Sequence, residues 1–477
     1  NHLALLHFKS NEVTPQLKAV RENSVVPLGN AFALANRVEG QECLRAVLLL
    51  VSGLVEANGT CLESNILNAI AEQLPPLWER ASNSVAIHSC LVSVLNHLIG
   101  KLGSIALENE HIQKVLFPLM DYCTDVGAGM LRSDTLLEDG LKLWLVTLVT
   151  SRMATMEHYL AAMLPRLEAI LRTGLEAHLS LKVLQLIATL MGPSVLQRLV
   201  SVLKPLLMDC VSCVLKEGNV DATNEDQMMN DNLSEETKDH QEKSSKAGLM
   251  KDGIGALSFC SDILQMYPEI GLEIGEDIII EVLRAVVPPS QSRETFPYPL
   301  VEAAFVALGQ ILWHRPNLLE EIFMNCPEED SRICAMVASW IRMVSNPSVQ
   351  HIMILSHVSP LMFIDQKRLA LSLCAAVCKG PKTRRLVGAT TLRFTKTLTE
   401  TDIESKIKVE DLVQAACGTT RQVIGDGPLG DASIRTAELF KNDPVLTVTL
   451  IDAFEKARII MQEHSPSSTI SPEEYAC

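Results

Sequence analysis

Apolar residues recur along this chain with a helical rhythm. Within 301–312, Val301, Ala304, Phe305, Leu308, Ile311 and Leu312 follow i, i+3, i+4, i+7 spacing, which places them on one face of a helix. The small residues Ala307 and Gly309 let a neighbouring helix approach closely. The same pattern predicts helices over 44–56, 88–102, 137–150, 181–191, 254–266 and 367–377.

Between these segments lie helical stretches centred on proline: Leu74-Pro75-Pro76-Leu77, Phe117-Pro118-Leu119, Leu164-Pro165-Arg166-Leu167 and Lys204-Pro205-Leu206-Leu207. Pro76, Pro118, Pro165 and Pro205 stand 42, 47 and 40 residues apart. A proline inside a helix removes one backbone hydrogen bond and bends it. One bent and one straight helix per unit, at this period, is the signature of HEAT-type helical hairpins. The expected fold is all-α: a HEAT-repeat, armadillo-like, right-handed superhelical solenoid, or α-α superhelix. No stretch alternates apolar and polar residues around a two-residue turn, so a strand-rich fold is disfavoured and a parallel α/β architecture is the weaker competitor.

Composition agrees. The 477 residues exceed one compact core, yet no shift in composition divides them, which suits a stack of local contacts. Aromatic residues make up 4% and hydrophobic ones 47%, and the thirteen cysteines are scattered through apolar stretches as reduced, buried thiols would be. The expected organisation is HEAT repeats over 1–216, an acidic disordered loop over 217–246, HEAT repeats over 247–378, an irregular linker over 379–430 and a closing helical segment over 431–477. The first residues read like the interior of a repeat, so a piece of a longer protein is expected. Apolar runs such as 46–55 and 143–150 are closed by Arg45, Glu56, Lys142 and Arg152, short of the roughly 20 residues needed to cross a bilayer, and no membrane insertion is expected.

The 217–246 segment carries Glu217, Asp221, Glu225, Asp226, Asp231, Glu235, Glu236, Asp239 and Glu242 against Lys238, Lys243 and Lys246. It holds too little apolar surface to offset its ordering entropy, which predicts a loop. Its nine acidic residues are the candidate surface for steering a cationic cargo. The formal net charge of −16 points the same way, towards basic protein partners and away from direct nucleic-acid binding, which needs dense Lys and Arg.

Catalytic and cofactor motifs fail on context. Gly425-Asp426-Gly427-Pro428-Leu429-Gly430 fits G-x-G-x-x-G but follows no predicted strand, and Pro428 removes a backbone donor. Cys210 and Cys213 have metal spacing without a second pair, and read as core cysteines of a Leu/Val helix. Cys374 with Cys378, and His351 with His357, find no completing ligands. The sequons at Asn58 and Asn232 mean little without secretion. No catalytic, cofactor-binding or metal-binding residue is nominated, and the chain is not expected to be an enzyme.

Leu137-Glu138-Asp139-Gly140-Leu141-Lys142-Leu143-Trp144-Leu145-Val146-Thr147-Leu148 and Asp443-Pro444-Val445-Leu446-Thr447-Val448-Thr449-Leu450 carry a resemblance, with Tyr298-Pro299, Trp340 and Lys367-Arg368-Leu369-Ala370-Leu371 in order between them. From about Leu137 onward the chain resembles the central to C-terminal part of the importin-beta family (karyopherin) nuclear transport receptors. The resemblance implies a nuclear import receptor that carries protein cargo through the pore and shuttles between cytoplasm and nucleus across the nuclear envelope. Its implied partners are cargo proteins, Phe-Gly nucleoporins and Ran-GTP, the last mainly through N-terminal repeats that this chain is expected to lack. A static HEAT scaffold for protein assembly is the alternative.

Overall fold

The computed structural model describes residues 40–58, 64–81, 84–127, 130–218, 236–287, 296–345, 360–424 and 429–464, with residues 30 and 37. No strand occurs among the described residues. The chain is an all-α solenoid of paired helices that divides into two units: residues 1–192 with 417–435, and residues 193–416 with 436–477.

The first unit contains α1 (Gln41–Asn58), α2 (Ser64–Ala71), α3 (Leu74–Ala81), α4 (Val85–Leu102), α5 (Ser104–Leu107), α6 (Glu110–Cys123), α7 (Met130–Thr150), α8 (Met153–Thr173) and α9 (Ala177–Met191). Helices α1, α4, α7 and α9 pack in succession, skipping the helices between them, and α3 packs on α6. The skipped helices carry the prolines: Pro118 lies inside α6, Pro165 inside α8, and Pro75 and Pro76 open α3. Hydrogen bonds report the repeat directly. Asn109 donates to Asn68 at 2.9 Å across 41 residues, and Arg166 binds Asp125 at 2.9 Å across 41 residues and Asp121 across 45. Helix α4 is long and apolar enough to cross a membrane by length and composition, which the reading of shorter runs missed. It lies between α1 and α7 with Leu91, Leu95, Leu98 and Ile99 buried, so its apolar character is that of a helix covered on both flanks.

The second unit contains α10 (Ser194–Gly218), α11 (Glu236–Met266), α12 (Pro268–Val286), α13 (Tyr298–His314), α14 (Leu318–Glu321), α15 (Glu329–Ser345), α16 (Pro360–Lys379), α17 (Pro381–Glu400) and a 3₁₀ turn at Glu404–Lys406. Pro205 lies inside α10. α18 (Val409–Ile424) and α19 (Asp431–Phe440) are each divided between the two units, and α20 (Pro444–Thr447) and α21 (Leu450–His464) belong to the second. Helices α11, α13, α16 and α21 form the second succession of inner helices, with α10 on α12 and α15 on α17. All seven apolar segments predicted from periodicity fall on inner helices.

Three expectations differ from the structure. The 379–430 stretch is helical over most of its length, as α17, the 3₁₀ turn and α18. Gly380 separates α16 from α17, ahead of Pro381, whereas buried Gly388 lies within α17, where it lets Met461 of α21 pack against the helix. Residues 236–246 belong to the helical backbone of α11 and not to a loop. The sequence there sets acids one turn before lysines, Asp239 with Lys243 and Glu242 with Lys246, an order that favours helix, and Glu236 and Asp239 suit the positive end of the helix dipole. Residues 417–435 group with the first unit instead of forming a linker and the start of a terminal segment. In that segment Gly430 donates to the Val149 carbonyl at 2.6 Å, Asp431 to that of Ser151 at 3.1 Å, and the Arg435 guanidinium to that of Leu190. A Cβ at Gly430 would collide with the Ser151 carbonyl, which is the structural reason for this glycine.

Candidate functional site

Of the residue blocks that carried the sequence resemblance, 137–148 lies on α7 of the first unit, and Tyr298-Pro299, Trp340, 367–371 and 443–450 lie in the second. Asp443 begins α20, where its Oδ1 accepts the Val445 N–H at 2.8 Å and Pro444 occupies the first helical position. Its Oδ2 accepts from Gln265 Nε2 of α11 at 2.7 Å and from Arg368 Nη2 of α16 at 3.1 Å. With its carboxamide oxygen turned towards α16, Gln310 of α13 accepts from Arg368 Nη1 at 2.8 Å and Nε at 3.1 Å. Arg368 and Asp443 are 7% and 6% exposed, so this is a buried ion pair. Such a pair is tolerated only when the remaining donors and acceptors are also matched, as they are here.

Neighbouring contacts fix the same helices. Ser372 Oγ of α16 donates to the Gly309 carbonyl of α13 at 2.6 Å, the close approach that a residue without a side chain permits. The Trp340 ring lies over Gly309 and meets Phe305 edge-on at 5.1 Å. Buried Lys367 pairs with Glu404 at 3.5 Å, and the same Glu404 oxygen accepts the Leu450 N–H that starts α21. Burial pulls the Lys367 ammonium below its ordinary range, against the opposite pull of Glu404 and Asp443. Burial also lowers His314, with Asp443 opposing and Arg368 reinforcing, and pushes Asp365 up to about 6, with Arg368 opposing and Glu302 reinforcing. A cavity of about 230 Å³ opens beside the ion pair, lined among others by Met266, Trp313, His314, Leu371 and Asn442. Because Arg368 and Asp443 direct their hydrogen bonds at each other and at two glutamines, the arrangement suits fixing four successive elements rather than moving a proton.

The first unit builds its inner surface differently. The Ser52 hydroxyl lies 2.8 Å from Ser93 Oγ and 2.8 Å from His97 Nδ1, and Ser89 donates to Asp139 at 2.7 Å. A broader groove of about 610 Å³ is lined by Ser89, Ser93, His97 and Asp139, with Arg45, Asn96 and Lys142 along it.

The acidic candidates are not brought together by described geometry. Asp221, Glu225, Asp226, Asp231 and Glu235 lie outside the described residues; Glu217 falls at the end of α10, and Glu236, Asp239 and Glu242 fall in the first turns of α11. His351, His357 and residues 425–428 of the glycine motif also lie outside them. Burial pushes the thiols of Cys210 and Cys374 up to about 12, whereas Cys213 is exposed on α10 and is not a core residue, because the helix turns Val211 and Val214 inward instead. Gln265, Gln310 and His314 were missed. Their one signal was a polar residue at the end of, or within, a predicted apolar inner face.

The fold and this closing network define a class first: a helical-repeat solenoid whose units of about 40–50 residues have the length of HEAT pairs. Residues 89–254 match the family described as Importin-11-like, TPR repeats. Mouse and human Importin-11 are each 29% identical over 126 residues, which is 26% of this chain and 12% of theirs, so the matched stretch spans a small part of these relatives. The solved structure of Lph2, a bidirectional nuclear transport receptor of S. cerevisiae, matches 96% of this chain and 44% of its own at 16% identity and a TM-score of 0.59, a likeness of fold. The sequence likeness is thus to importin-11-like proteins over residues 89–254, and the likeness to Lph2 is one of fold.

Proposed function

We propose that this chain is part of a nuclear transport receptor that binds protein cargo and carries it through the nuclear pore under control of the GTPase Ran, in the import direction. The observation that carries this reading is the likeness of residues 89–254 to the importin-11-like repeats. The net charge of −16 favours basic cargo, with Glu217, Asp221, Glu225, Asp226, Asp231, Glu235, Glu236, Asp239 and Glu242 steering its approach. Phe-Gly nucleoporins would dock on apolar grooves, and Ran-GTP would bind the complete receptor. The receptor would shuttle between cytoplasm and nucleus. The test is a lysate pulldown with the complete receptor, with and without GTP-locked Ran. Release of captured proteins by Ran-GTP is the expected result, and capture indifferent to Ran would favour a static scaffold.

A further inference from the structure

The geometry points to the exposed face of α17 as a docking surface for an acidic segment of a partner protein. Helix α17 carries Lys382, Arg384, Arg385, Arg393 and Lys396 against Glu400, a local excess of positive charge in a chain of net charge −16. At about 100° per residue, Lys382, Arg385, Arg393 and Lys396 fall within an arc of about 80°. Thr383, Val387, Thr391, Phe394 and Leu398 are buried on the opposite side, so the stripe is turned away from the core. Arg385 and Arg393 are exposed, and Lys382 and Lys396 are half-buried.

The stripe already binds carboxylates at one end. Asp330, at the start of α15, reaches Lys382 at 2.8 Å and Arg385 at 3.4 Å, and Glu329 joins Lys382. Lys382 holds the Asp330 carboxyl below its usual range. Further along, Arg393 makes no ion pair among the described residues, so the pattern that recognises carboxylates continues beyond the groups that satisfy it. Arg385 and Arg393 are about 12 Å apart along the helix, a distance that about four residues of extended chain would span. A peptide with carboxylates at that spacing can meet both guanidiniums, each by paired hydrogen bonds. Nucleic acid fits less well: Glu329, Asp330 and Glu400 bound the stripe at both ends, and the charge of the whole chain repels a polyphosphate.

The inference does not depend on the transport reading. It is tested with the full chain and fluorescein-labelled deca-glutamate, followed by anisotropy at 50 and 200 mM salt, with a ten-nucleotide oligouridine as comparison. Saturable binding of deca-glutamate, weakened at least tenfold in R385E/R393E and by the higher salt, is expected. A single R393Q variant should weaken it about threefold, and retention of the parent's helical circular dichroism and melting temperature confirms that both variants are folded. No saturable binding at 50 mM salt, equal binding by R385E/R393E, or tighter binding of the oligouridine would overturn it.

Discussion

The inner helices of the two units solve one problem with different chemistry. In the first unit, polar contacts between successive inner helices are made by hydroxyls and a histidine around Ser52, Ser93 and His97, with Ser89 on Asp139. In the second, α11, α13, α16 and α20 converge on a buried guanidinium and carboxylate. A neutral hydrogen bond contributes about 0.5–1.5 kcal/mol net, and its loss leaves a modest defect. A buried ion pair has little net value against an apolar substitute, yet losing one partner strands the other charge. The second unit should therefore be the more brittle to single changes, although it need not be the more stable.

The sharpest test of that contrast is Arg368→Ala, which strands Asp443 and is expected to cost about 3–5 kcal/mol, against about 1 kcal/mol for Ser52→Ala in the first unit. Thermal melts followed by circular dichroism compare the two, and equal losses would dissolve the distinction. A smaller effect is expected at glycines. A Cβ at Gly271 would lie 2.6 Å from Leu264 Cα in the second unit, whereas one at Gly140 would lie 2.7 Å from Cys123 Cβ in the first. Backbone yields less than the base of a side chain, so Gly271→Ala should cost about 1–3 kcal/mol and Gly140→Ala less, by denaturant unfolding.

The smallest effect depends on pH. The Asp365 carboxyl is pushed up to about 6, chiefly by burial, so its ionised form disfavours folding. Its folded pKa lies above the unfolded one, which means its contribution improves as pH falls through about 6 towards the ordinary carboxylate range and worsens as pH rises. Asp365→Asn should stabilise the fold by about 1 kcal/mol at pH 7.5, given that the residue keeps some exposed surface, read as a higher melting temperature, with the gain shrinking at pH 5. His97 in the first unit has the opposite sign. Burial lowers its pKa, so the folded state resists protonation and loses stability as pH drops below the ordinary histidine range. A gain from Asp365→Asn that did not change with pH would remove the electrostatic side of the comparison.

The elements that were legible in sequence are those fixed by local rules. A 3.6-residue period is visible within a dozen positions, so Val301 to Leu312 and its six counterparts declared themselves as inner helices, and proline marks its own helix wherever the partner lies. Arg368 and Asp443 are 75 residues apart, and no local rule pairs them. The stretches expected as a linker and a loop contain residues that can act in two ways. Gly388 looks like a breaker from its neighbours and acts as a packing surface only when Met461 is beside it. The charges of 236–246 argue against a core without arguing against a helix, since a helix can be held by acid-lysine pairs and by continuity with the buried part of α11.

The hydrogen bond from Arg435 to Leu190 closes 245 residues of chain. A stack whose repeats touch only their neighbours can fold as it leaves the ribosome, one hairpin after another. The first unit cannot finish that way. At roughly 5–20 residues per second, about 12–50 seconds separate the emergence of α9 from that of the segment that docks on it. During that interval the carbonyls at Val149, Ser151 and Leu190 remain open to water or to chaperones, and a nascent chain stalled before Gly430 would keep them open.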